Sequence, residues 1–186
     1  PAGWLVERGA RELVLVGRTV RELPEAAGWR ANGVVVRSEA ADVADVVAIG
    51  AILRALDADG VPLAGVFHCA GVTADTLLAN AGAAEIARVL RAKTEGALAL
   101  DRATRGRALD AFVLFSSITA LCGLVGTGIY AAANAGLSAV ARRRRVEGLQ
   151  ALTVMWGTWA GSGMVADRGR PGARPGDPRP CARRVR

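Results

Sequence analysis

The stretch Ala111-Phe112-Val113-Leu114-Phe115-Ser116-Ser117 decides how the rest of the chain is read. Its five leading residues are apolar without interruption, too short a run for a buried helix and typical of a strand covered on both faces. Four more short runs share that character, at residues 13–16, 33–36, 63–67 and 152–156. Between them the apolar residues fall at helical spacing, over 46–56, from 83 to about 103, and from about 128 to 146. Asp45 is placed to cap the first of these helices and Gly148 to stop the last. Continuously apolar strands separated by helices predict an α/β fold, a doubly wound parallel sheet.

Composition narrows the function. The chain has 186 residues, 52% hydrophobic and 22% charged, the profile of one globular domain. Its net charge of +7 is concentrated at one end. From Ala166 onward there are seven Arg against Asp167 and Asp177, which leaves 17 basic and 15 acidic side chains in the other 165 residues. The body is nearly neutral, so nothing in it predicts a nucleic-acid surface. Residues 166–186 are rich in Arg, Pro and Gly without periodicity, and are expected to be a disordered tail after a folded unit of residues 1–165. Cys69, Cys122 and Cys181 lie far apart and His68 is the only histidine, so no metal-ligand spacing exists. No apolar run is long enough to span a membrane, and the sequence opens without a signal-peptide pattern; a cytoplasmic location is expected.

The chemistry-bearing residues are few. Tyr130 and Lys93 are the chain's one Tyr and one Lys. Ser117 lies 13 residues before Tyr130, and Asn134 four residues after it, one helical turn on. Ligands of a doubly wound sheet bind at the carboxyl ends of its strands, where Ser117, Gly71 and Gly157 all fall. Taken singly, each has a plainer reading: Ser117 as a turn cap, Tyr130 as a buried aromatic, Arg18 as a solvated charge, His68 as a packed residue, Cys122 as a small buried hydrophobe, and Arg142 to Arg145 as charges favoured at a helix C-terminus.

Taken together, the sequence resembles the short-chain dehydrogenase/reductase superfamily and, closely, the ketoreductase domain of modular polyketide synthases. The likeness is carried by residues 4–18, by Ala41-Asp-Val-Ala-Asp45, and by Gly65-Val-Phe-His-Cys-Ala-Gly-Val72. It continues through Leu114-Phe-Ser-Ser-Ile-Thr-Ala120, Tyr130-Ala-Ala-Ala-Asn-Ala135 and Trp156-Gly-Thr-Trp-Ala160. Ser117, Tyr130 and Asn134, with Lys93 upstream of all three, match the arrangement in which these ketoreductases exchange the usual Lys and Asn positions. The resemblance implies NADPH-dependent reduction of a β-ketoacyl chain carried on the phosphopantetheine of an acyl carrier protein, with other synthase domains as partners. It implies Tyr130 as proton donor, Ser117 as hydrogen-bond donor to the same oxygen, Lys93 as the cation that eases proton loss from a phenol, and Asn134 as holder of a relay water. For the cofactor it implies Arg18 at the 2′-phosphate, Asp42 and Val43 at the adenine, and Ala70 and Gly71 beneath a ribose. Trp156 and Gly157 join Tyr130 and Lys93 as further cofactor contacts.

The sequence also departs from the family. The family's first strand and its glycine-rich turn, which cradles a pyrophosphate, have no counterpart in these residues. In the family's strand order 3-2-1-4-5-6-7 that strand is central, so an incomplete sheet with a gap in its middle is expected. Thr73-Ala74-Asp75 and Cys122 stand where markers of product configuration occur in the family, so no stereochemistry follows. Two rival functions remain at this level. One is a non-reducing, structural or epimerising relative. The other is a basic nucleic-acid-binding protein acting through residues 166–186.

Overall fold

The computed structural model describes residues 1–20, 22–74 and 76–157; the basic tail and Asp75 lie outside them. The elements in chain order are α1 (Ala2–Glu7), β1 (Glu12–Gly17), α2 (Ala26–Ala31), β2 (Val35–Ala40), α3 (Val46–Ala58) and β3 (Gly65–His68). There follow α4 (Ala83–Leu90), a π-helical turn (Arg91–Glu95), α5 (Gly96–Thr104), β4 (Ala111–Ser117), α6 (Thr119–Cys122), α7 (Gly128–Val146) and β5 (Leu152–Trp156). The fold is α/β, and every strand pairing is parallel.

Two sheets form, not one. β1 pairs with β2, and β3, β4 and β5 pair in that order. Among the described residues no strand joins β1 to β3, and the expected gap falls there. α3 bridges it: Ile49, Leu53 and Leu56 are buried among Val14 of β1, Leu63 before β3, and Leu100 and Ala103 of α5. The Asp45 carboxylate accepts from the amides of Val47 and Ala48 and so caps α3 as expected.

The core of the three-stranded sheet is one-sided. Phe112 and Leu114 of β4 are buried with Ala97, Leu137, Val140 and Ala141 of α5 and α7. Alternate residues of β4, from Ala111 to Ser117, are only half-buried on the opposite face. That alternation was hidden by the uniformly apolar run.

Several expectations shift. β2 runs over Val35–Ala40 and not over 33–36, because Gly33 adopts φ +80° and belongs to the turn. Cys122, expected to be buried, is exposed at the end of the short helix α6. The arginines at the end of α7 do more than complement a dipole. Arg144, 2% exposed, lies 2.7 Å from the fully buried carboxylate of Asp101, donates to the Gln150 carbonyl at 3.0 Å, and stacks over Phe112. Arg143 and Arg105 engage the other oxygen of Asp101 at 2.5 and 3.2 Å. Burial would raise the pKa of Asp101, and these three guanidinium groups hold it below the ordinary carboxylate value instead. The cluster fastens α5 and α7 to the start of β5.

Candidate active site

The π-helical turn Arg91–Glu95 is the hub of the site. π-turns are rare, and they widen a helix by one residue so that side chains leave it in directions an α-helix does not offer. Here they leave toward both sheets. Arg91 Nε lies 2.8 Å from Asp42 Oδ2, beyond the end of β2. Lys93 points the other way, into the β3–β4–β5 half.

Lys93 is 3% exposed. Its Nζ donates to the Phe115 carbonyl of β4 at 2.9 Å and lies 5.6 Å from the ring centroid of Tyr130, within cation–π range. Burial lowers its pKa to about 8. The ammonium therefore remains mostly charged at neutral pH while sitting close to losing its proton. The stem runs against Gly71, where an added Cβ would lie 2.7 Å from Lys93 Cε. Only a residue without a side chain lets the turn after β3 close over this lysine.

Asn134 is completely buried. Its Nδ2 donates to the Tyr130 carbonyl at 2.8 Å, and its own carbonyl accepts from Ser116 Oγ at 3.2 Å. The first bond lies within α7, and the second ties its opening turns to the end of β4. Asn134 Oδ1 is buried and accepts no hydrogen bond among the described residues.

Ser117 ends β4. Its Oγ accepts from the amide of Thr119 at 3.2 Å and from Thr119 Oγ1 at 3.0 Å. The cap reading of Ser117 is thus realised, and it does not compete with a chemical one: with its lone pairs occupied, the hydroxyl keeps its own hydrogen to give. Trp156, at the end of β5, pairs with Ser117 in the sheet and stacks on Phe115 with centroids 5.7 Å apart. Gly157 follows it and is exposed.

The structure therefore brings Tyr130, Lys93 and Asn134 together against β4, with Gly71 over Lys93, and sets Ser117 at the carboxyl end of the same strand beside Trp156. Arg18 and Asp42 sit at the ends of β1 and β2, the first exposed and the second half-buried. The pKa of Asp42 is lowered, first by the Ala44 amide that donates to it and then by Arg91, with Arg18 adding to the pull. Val43 reaches the hub, since a Cβ at Gly96 would lie 2.6 Å from its Cγ1. Ala70 is exposed after β3.

Sequence reasoning missed Thr94 and Thr119. Thr94 Oγ1 donates to the Ala133 carbonyl at 3.0 Å and locks the hub to α7. Gly136, where an added Cβ would lie 2.5 Å from that same oxygen, admits the contact. For Thr119 the signal was the Ser-x-Thr spacing itself, a hydroxyl two residues after a strand-end serine.

Comparison with known proteins identifies the family of the fold. The KR domain family model matches residues 1–161. Pikromycin polyketide synthase component PikAIII of Streptomyces venezuelae is 46% identical over 167 residues, covering 88% of this chain and 11% of that protein. Polyketide synthase GfsB of Streptomyces halstedii is 45% identical over 170 residues, covering 89% of this chain and 3% of that protein. Among solved structures, an A-type ketoreductase from a modular polyketide synthase superposes with a TM-score of 0.82 at 44% identity, covering 90% of this chain and 36% of that one. A ketoreductase from the first module of phoslactomycin biosynthesis in Streptomyces sp. HK803 does so at 0.78 and 44%, covering 85% and 38%. The chain thus spans a small part of the synthases and just over a third of the solved ketoreductases. By family match, sequence identity and fold alike, it belongs to the ketoreductases of modular polyketide synthases.

Proposed function

We propose that this segment carries the proton-transfer half of an NADPH-dependent β-ketoacyl reductase, acting on a chain held by the phosphopantetheine of an acyl carrier protein within a cytoplasmic polyketide synthase. The observation that carries the reading is the placement of the Lys93 ammonium between the Phe115 carbonyl and the ring of Tyr130. A buried cation is costly, and one aimed at a phenol has a chemical use.

The residues fit the cofactor. Gly71 gives a bare approach over Lys93, and Arg18 is an exposed guanidinium beside the lowered carboxyl of Asp42. Arg18 would hold the 2′-phosphate, Asp42 and Val43 the adenine, and Ala70, Gly71, Trp156 and Gly157 would line the rest. NADPH supplies the hydride. Ser117 donates its hydroxyl hydrogen to the ketone oxygen and orients it. Tyr130 gives that oxygen its proton as negative charge develops there. The Lys93 ammonium stabilises the phenolate left behind, and Asn134 Oδ1 holds a water through which Tyr130 is reprotonated. Retention of all four side chains in one constellation favours reduction over a structural or epimerising role.

The test uses a hybrid ketoreductase in which residues 1–157 replace the matching segment of a related domain, so that the strand and glycine turn ahead of them are supplied. Tyr130→Phe should lower ketone reduction by about 10²-fold or more. NADPH binding should stay within about twofold, and NADPH should be preferred over NADH. Reduction at an unchanged rate in the phenylalanine variant would refute the assignment.

A further inference from the structure

His68 takes no part in that scheme, yet it is the chain's one histidine and is 2% exposed at the end of β3. Its Nε2 lies 3.0 Å from the backbone carbonyl of Lys93. A carbonyl can only accept, so the ring must carry its proton on Nε2. The imidazole packs against Gly96, where a Cβ would lie 3.1 Å from His68 Cε1. Three constraints thus converge on one lysine. His68 holds its carbonyl, Gly71 closes over its stem, and the Phe115 carbonyl takes its ammonium.

We propose that His68 is a positioning residue: its Nε2–H grips the Lys93 carbonyl and so holds the π-helical turn in the register that sends the ammonium to Tyr130. The inference rests on the reading of Lys93 and Tyr130 as the proton-transfer pair. Burial supports it, lowering the pKa of His68 to about 4, so the ring stays a neutral donor across the physiological range. The other titratable groups around Lys93 are Tyr130 and Cys69, whose thiol burial pushes up.

The test has two arms. In this chain one histidine and one lysine give unambiguous NMR signals. His68 should be a neutral Nε2–H tautomer that titrates near 4, and Lys93 should titrate near 8. His68→Gln, whose amide donates at a similar reach, should leave Lys93 there, and His68→Leu should move it toward 10.5. An Nδ1–H tautomer, a histidine titrating at its ordinary value, or a Lys93 indifferent to His68→Leu would overturn the inference. In the hybrid, His68→Leu should lower kcat by about tenfold or more and shift the basic limb of its pH profile. His68→Gln should restore most of that loss. A parent hybrid that reduces no ketone while the NMR arm holds would refute the ketoreductase reading and leave the role of His68 intact. A working hybrid indifferent to His68→Leu would refute the role of His68 alone.

Discussion

Replacing Lys93 by Met should make the fold more stable at neutral pH while removing the chemistry. Folding lowers the pKa of this lysine from 10.5 to about 8. At about 1.4 kcal/mol per unit, keeping the ammonium charged inside the fold costs on the order of 3 kcal/mol. That value is net, so it already contains the charged hydrogen bond to the Phe115 carbonyl. Met keeps the apolar stem beneath Gly71 and carries no charge, so the variant should gain on the order of 2–3 kcal/mol. The sign follows from proton binding. Between pH 8 and 10.5 the unfolded chain holds a proton on Lys93 that the folded chain releases, so wild-type stability rises with pH across that window. The cost is present in full below pH 8 and gone above 10.5, and the advantage of the methionine variant follows the same course. Urea unfolding of both proteins at pH 7 and pH 10 reads it directly. A methionine variant less stable than wild type at pH 7, or a gap that does not narrow at pH 10, would refute the reasoning.

Two further substitutions test the supports of the site. Gly136→Ala, ordinarily favourable in a helix, should destabilise by about 1–3 kcal/mol, because the new methyl would meet a Thr94 already fixed by its bond to Ala133; a raised Tm would contradict the contact. Asp101→Asn should cost about 3–5 kcal/mol in chemical unfolding by leaving Arg144 buried beside a neutral partner, and an Asp101→Leu, Arg144→Met pair should recover most of it. A double variant as unstable as the single one would show that the ion pair, and not its desolvation, dominates.

What the sequence disclosed was local. β5 and α7 lie where the apolar run and the helical spacing place them, and the Asp45 cap acts on the residues it precedes, because each depends on near neighbours alone. The π-turn was hidden because residues 83–104 satisfy helical spacing throughout. Its partners, Asp42, His68 and Ala133, are distant in the chain. The same holds for Asp101, whose partner Arg144 lies 43 residues on. β2 slid forward because its polar residues Arg37, Ser38 and Glu39 pair with β1 on a half-buried sheet, where an apolar run is not needed. The four chemical residues were legible for another reason. Tyr and Lys occur once each, which leaves no competitor for Tyr130 and Lys93, whereas Ser117 and Asn134 stand out among several serines and asparagines by their spacing from Tyr130 and by the family resemblance.

The features that hold the site are, one by one, unfavourable to a stable fold. A π-turn interrupts a continuous helix, among the described residues a lysine is buried without a carboxylate partner and an asparagine oxygen is left without a donor, and Gly71, Gly96 and Gly136 replace side chains that would have packed. Several of them bear on Lys93 itself, whose own carbonyl, stem and ammonium each have a separate constraint. Away from this point the same fold buries its other large charge, Arg144, against a carboxylate. A chain able to neutralise a buried cation there, and which leaves one without a carboxylate beside Tyr130, supports the proposal that the charge of Lys93 serves proton transfer and not the fold.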